Sequence, residues 1–99
     1  MKAEELKKEL AEKGGMILLD VREADEFKPD EAIPNSQNMP MGKVFVEASK
    51  GNLPKDQKII TICKSGGRCE IVARELKERG YNIEHLEGGL KAWREEENS

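Results

Sequence analysis

Lys58-Ile59-Ile60-Thr61-Ile62-Cys63-Lys64-Ser65-Gly66-Gly67-Arg68 reads as a buried strand, a loop and the first residue of a helix. Four of the five residues before the cysteine are β-branched, a short apolar run of the kind that fills the middle of a sheet. Cys69, Val72, Ala73 and Leu76 then recur at i, i+3, i+4 and i+7, the stripe of an amphipathic helix. Backbone N–H groups in such a loop can converge on one point, and the helix N-terminus adds partial positive charge. A thiol placed there ionises more readily than one in water. Cys63 is therefore the candidate nucleophile, set in an anion-binding cradle.

Outward from this stretch the chain keeps alternating strand and helix. Toward the N-terminus, Met16-Ile17-Leu18-Leu19-Asp20-Val21 is a second short apolar run, bounded by Gly14-Gly15, and predicts another strand buried on both faces. Before it, Ala3, Leu6 and Leu10 recur at helical spacing, predicting a helix over about 3–13 that the two glycines stop. Residues 23–27 are expected as a short helix ended near Pro29. Residues 28–40 read as a loop with a brief strand at 36–38, and 41–49 as a helix with Val44, Phe45 and Ala48 facing inward. Toward the C-terminus, Gly80 caps the helix after the loop, 81–86 is a strand, and Gly88-Gly89 leads into a last helix carrying Leu90 and Trp93. Residues 95–99 are expected to fray. The order predicts an α/β domain with a parallel sheet and helices on both faces. Right-handed crossovers place the loops after the strands along one edge, where Asp20, Arg22, Cys63 and Gly88-Gly89 would meet.

The 99 residues suit one domain, 1–99, with a single core. Charged residues make up 37% of the chain, above the usual ~25%, but Lys and Glu are interspersed, as on a solvated surface. The net charge of −3 without a basic stripe argues against direct nucleic-acid binding. No run approaches the ~20 apolar residues of a membrane span, and the charged N-terminus lacks the apolar core of a signal peptide. A cytoplasmic monomer is the expectation, with both cysteines reduced.

At this point the chain resembles the rhodanese-like sulfurtransferase domain. The matching pieces are Leu18-Leu19-Asp20-Val21-Arg22-Glu23, Ile33-Pro34, Asn38-Met39-Pro40, Cys63 through Arg68, and Glu87-Gly88-Gly89-Leu90 through Ala92-Trp93. They span about Met16 to Trp93 in the family's order and spacing. The resemblance implies a rhodanese-like fold with a central parallel sheet of about five strands. It also implies a chemistry needing no cofactor: Cys63 takes a sulfane sulfur from a donor such as thiosulfate or a persulfide. The resulting cysteine persulfide then passes its sulfur to a thiophilic acceptor, such as cyanide, a small thiol or a protein. Lys64, Ser65, Gly66, Gly67 and Arg68 complete the active loop. One piece departs from the family: Glu31-Ala32-Ile33-Pro34-Asn35-Ser36 stands where members commonly carry Gly-His-Ile-Pro-Gly-Ala. Asn35 tolerates the left-handed backbone a glycine would hold, so the turn is expected to survive.

Each of these residues also has a plainer role. A thiol of pKa ~8.5 needs about 2.7 kcal/mol of differential stabilisation to fall by two units. The loop N–H groups, the helix N-terminus, Arg68 and Lys64 are the sources to hand. Gly66 and Gly67 supply positive φ and close backbone approach. Lys64 could equally be an exposed surface lysine, and Cys63 a buried strand-end cysteine. Asp20 and Arg22 are supporting residues that either orient the loop or simply form a salt bridge. Cys69 either faces the core or is a redox partner, a resolving thiol for a persulfide or sulfenate on Cys63. His85 is the single histidine, and persulfide transfer needs no general base once the thiolate exists. Cys63, Cys69 and His85 lack metal-ligand spacing, so no metal is expected. Trp93 is a core anchor.

Three competitors share parts of this pattern. Cysteine phosphatases and arsenate reductases need an arginine six positions after the cysteine, and here that position is Cys69. A loop one residue shorter suits sulfur rather than phosphate. A persulfide carrier feeding a protein acceptor would use the same chemistry. A non-catalytic interaction module of this family commonly lacks the loop cysteine, which this chain keeps.

Overall fold

The protein is described from a computed structural model, which places residues 1–12, 14–28, 30–64 and 67–97. In chain order the elements are α1 (Ala3–Glu12), β1 (Ile17–Asp20), β2 (Gln37–Asn38), α2 (Met41–Ser49), β3 (Ile59–Ile62), α3 (Gly67–Glu78), β4 (Ile83–His85) and α4 (Gly89–Glu97). The strands form one sheet in the order β2-β1-β3-β4, and every neighbouring pair is parallel. Four strands are present among the described residues, where about five were expected.

The sheet is held by its middle. All four residues of β3 are buried, and Ile59, Ile60 and Ile62 are wholly so, each worth roughly 1.5–3 kcal/mol of apolar burial. Because successive side chains point to opposite faces, β3 divides its residues between two cores. Ile60 and Ile62 join Leu6, Leu18, Leu86, Leu90 and Trp93 under α1 and α4. Ile59 and Cys63 join Leu19, Val44, Cys69, Val72 and Leu76 under α2 and α3. Helices thus cover both faces, and the Cys63 side chain belongs to the α2–α3 side. Trp93 is buried, with the Lys7 ammonium 5.4 Å from its ring centre.

Two local expectations change. Residues 23–27 are not a helix but a pair of tight turns, with Glu26 N–H donating to the Glu23 carbonyl at 3.0 Å and Phe27 N–H to Ala24 at 3.3 Å. So short a segment cannot offset the cost of helix nucleation. Residues 95–97, expected to fray, are the last residues of α4. All three are glutamates, good helix formers; residues 98 and 99 lie outside the described residues. The altered 31–36 segment keeps its turn: Asn35 has φ +69°, and the Ser36 hydroxyl donates to the Ile33 carbonyl at 2.6 Å. No helix among the described residues is long and apolar enough to cross a membrane.

Candidate active site

Cys63 is the first residue after β3, and its side chain is buried. Four residues on, α3 begins at Gly67, aiming the positive end of its dipole at the loop. Ser65 and Gly66, both expected in the active loop, lie outside the described residues. Gly67 does not play the part expected of it. It is not among the residues with positive φ, and a Cβ there would meet nothing within 4 Å. It is simply the first residue of the helix.

The glycine that the loop does require is Gly89. Its φ is +59°, and a Cβ would lie 2.4 Å from the Cys63 carbonyl oxygen and 2.7 Å from the Lys64 carbonyl. This close approach lets α4 dock its N-terminal N–H groups on the loop. Leu90 N–H donates to the Cys63 carbonyl at 2.8 Å and Lys91 N–H to the Lys64 carbonyl at 3.2 Å. Two orphan donors of α4 and two orphan acceptors of the loop are satisfied together. The Gly88-Gly89 pair was legible as a turn, but its grip on the cysteine loop was not.

Cys69 sits in the first turn of α3, wholly buried, and its Sγ is 3.3 Å from the Cys63 Sγ. Cys69 thus faces the core and also touches the candidate nucleophile. Thr61 sets this contact. Its buried hydroxyl donates to the Cys69 carbonyl at 2.8 Å, pinning the first turn of α3 over the end of β3. The Cys69 thiol is also within 3.8 Å of the Leu86 carbonyl. Its hydrogen bond with Cys63 and its burial push its pKa far up, so Cys69 keeps its proton when Cys63 ionises.

Arg68 is half-exposed and gripped from the side by Glu26. Nη1 donates to Oε1 at 2.7 Å and Nη2 to Oε2 at 3.0 Å, a fork-to-fork pair. Arg68 is held above its ordinary pKa mainly by Glu26, with a smaller contribution from the charge of Cys63. Glu26 also accepts from the Glu23 N–H at 3.0 Å, and these bonds, Arg68 first, lower its pKa from 4.5 to about 2. Glu26 was not foreseen. Its signal was the three-residue spacing from Glu23, the geometry in which a side chain closes back on a turn.

Asp20 and Arg22 pair with each other. Arg22 Nε donates to Oδ1 at 2.9 Å and Nη2 to Oδ2 at 2.8 Å, inside the protein. Asp20 holds Arg22 above its ordinary pKa. Asn38, one of the matching pieces but given no role from sequence, donates through one amide to the Asp20 and Arg22 carbonyls at 3.1 and 2.9 Å. A cavity of about 360 Å³ at this edge is lined by Arg22, Glu26, Lys64, Leu90 and Arg94, among others. The edge therefore brings together the ends of β1 and β3 and the start of α4, with Lys64 exposed upon it. His85 lies elsewhere, lining a separate cavity with Glu70, Arg74 and Glu84.

A buried thiol at the carboxyl end of a central strand, facing a helix N-terminus with a cation in reach, is the arrangement expected of a nucleophilic or group-carrying cysteine. The family model for the Rhodanese-like domain matches residues 2–96, and the chain belongs to that family. A sulfurtransferase of Allochromatium vinosum is 30% identical, over 92% of this chain and 83% of the relative. A tRNA sulfurtransferase of Desulfurococcus amylolyticus is 35% identical over 81 residues, 82% of this chain but only 15% of that much longer protein. Among solved structures, a rhodanese-related protein from Thermoplasma volcanium superposes with a TM-score of 0.80 at 31% identity, covering 97% of this chain and 90% of its own. The fold is the rhodanese-like α/β fold, and these relatives support sulfur transfer as its general chemistry.

Proposed function

We propose that the protein is a sulfurtransferase of the thiosulfate (rhodanese) type in which Cys63 carries the sulfur as a persulfide. The observation that carries this reading is the placement of Cys63. It sits at the end of β3 before the N-terminus of α3, with Arg68 close enough to feel its charge. The Cys63 thiolate attacks the outer sulfur of thiosulfate, the S–S bond breaks, and sulfite leaves with the electron pair. Cys63 is left as a persulfide anion. An acceptor such as cyanide or a thiolate then attacks the outer sulfur and returns Cys63 as thiolate. Lys64 and Arg68 border the path of an anionic donor, and the start of α3 favours the negative charge in both states. No cofactor enters either step. The donor is a small sulfur compound, and the acceptor a thiol or a protein thiol, in a cytoplasmic monomer.

Incubation of the reduced protein with thiosulfate should add one sulfur to the intact mass. Cyanide should remove it as thiocyanate, and Cys63→Ser should not acquire it. Absence of the adduct with thiosulfate and with a persulfide donor alike, in the wild type and in Cys69→Ser, would refute the reading. Arg68→Gln should slow both sulfur loading and Cys63 alkylation by iodoacetamide at neutral pH. The phosphatase alternative is disfavoured by Cys69, which fills the core at the position such an enzyme needs an arginine.

A further inference from the structure

Sulfur transfer from Cys63 uses one cysteine, yet the structure sets two in contact. The Sγ atoms are 3.3 Å apart, and a disulfide requires about 2.05 Å, so closing the bond needs a side-chain shift of little more than ~1 Å. The contact is built, not incidental. Thr61, buried in β3, holds the Cys69 carbonyl at 2.8 Å, and Cys69 and Cys63 belong to the same core cluster. Cys69 is wholly buried in that cluster. Attack by Cys69 requires an added sulfur to project from Cys63 on the side away from Cys69, which shares its core cluster with Val44, Val72 and Leu76. With the outer sulfur so placed, Cys63 Sγ would stand between an incoming sulfur and the leaving sulfur, the arrangement that thiol–disulfide exchange needs.

We propose, building on the sulfurtransferase reading above, that Cys69 resolves the Cys63 persulfide and makes this domain a sulfide-releasing dithiol site. The Cys69 sulfur attacks Cys63 Sγ, and the bond from Sγ to the outer sulfur breaks. The outer sulfur leaves with the electron pair and takes the Cys69 proton, departing as hydrosulfide. The products are a Cys63–Cys69 disulfide and one sulfide, with atoms and charge balanced and no outside oxidant. The sulfane sulfur is reduced and the two cysteines are oxidised. An external thiol or dithiol then reduces the disulfide and reopens the site.

The order of events is built into the same contact. While Cys63 is a thiolate, its hydrogen bond keeps Cys69 protonated, so Cys69 does not compete for the sulfur donor. Loading moves the negative charge from Sγ to the outer sulfur, which removes the chief cause holding the Cys69 proton. Burial still favours the protonated thiol, so its proton passes to the departing sulfur as the new bond forms. A fast external acceptor captures the outer sulfur before Cys69 acts, and a slow one loses it as sulfide.

The test uses the full chain, reduced, loaded with thiosulfate, and desalted into thiol-free, oxygen-free buffer at low concentration. Wild-type protein should release up to one sulfide per chain in a methylene-blue assay. Its intact mass should settle two hydrogens below the reduced form, with the Cys63 and Cys69 peptides linked. A phosphine reductant should restore the starting mass. Cys69→Ser should instead retain the extra sulfur and release no sulfide, with Cys69→Ala as the second variant should serine disturb the core. Wild-type protein that holds its extra sulfur as long as Cys69→Ser would overturn this inference while leaving sulfur loading intact. Failure of both proteins to gain sulfur would overturn the loading step, and the inference with it.

Discussion

The protein carries two forked arginine–carboxylate pairs within one edge of its sheet, and they differ in almost everything but geometry. Arg22 and Asp20 are buried, with side chains 8% and 1% exposed, whereas Arg68 and Glu26 are each 36% exposed. The first pair joins residues two apart at the end of β1, and the second ties a turn to a helix across 42 positions. A buried pair cannot lose one partner without leaving an unpaired charge in a poorly solvated site. An exposed pair can open, exchange partners and be screened by salt. The same chemistry therefore serves as framework at Asp20 and as an adjustable charge beside Cys63 at Glu26.

Removing one side of the buried pair should have the largest effect. Asp20→Ala should lower stability by about 3–5 kcal/mol in urea denaturation, with Arg22 left uncompensated. A loss no larger than that of an ordinary surface substitution would show that the pair is not framework. Gly89→Ala comes next. A side chain at positive φ costs about 1–3 kcal/mol, and its Cβ would press on the Cys63 carbonyl, so sulfur loading should fall more steeply than stability does. Glu26→Gln should leave the urea midpoint near that of the wild type but free the Arg68 charge. It should speed loading by an anionic donor severalfold at low salt, an advantage that fades as salt rises.

The smallest effect is a titration. Because the Glu26 pKa is lowered in the folded protein, its pairing contributes fully above about 4.5 and fades as pH falls toward about 2. Carboxyl NMR should find the Glu26 midpoint near 2, and Arg68→Gln should move it back toward the ordinary value. An unshifted midpoint in the wild type would remove the exposed pair from the comparison.

Local pattern explains what could be read from the sequence. The isoleucines of β3, the Cys69-Val72-Ala73-Leu76 stripe and the stops at Gly14-Gly15 and Gly80 are contiguous or periodic, and each was visible in its own segment. So was the cysteine at the strand end. What could not be read depends on distant residues meeting. Glu26 lies far in sequence from Arg68, and Gly89 far from the carbonyls it approaches; neither distance leaves a periodic trace. Gly67 misled because a glycine beside a catalytic loop suggests backbone freedom, whereas here it only opens a helix. Cys69 was ambiguous because a stripe position assigns a face but not a neighbour.

The docking of α4 on the cysteine loop also imposes an order in time. Leu90 and Lys91 hold the carbonyls of Cys63 and Lys64, yet the ribosome makes them only after β3, α3 and β4. Until that last segment emerges, the Cys63 and Lys64 carbonyls lack these two donors, and the pocket edge that Leu90 and Arg94 help to line is incomplete. The proposed sulfur chemistry would thus be withheld from a half-made chain, and the same dependence would make cleavage within α4 silence the site from a distance.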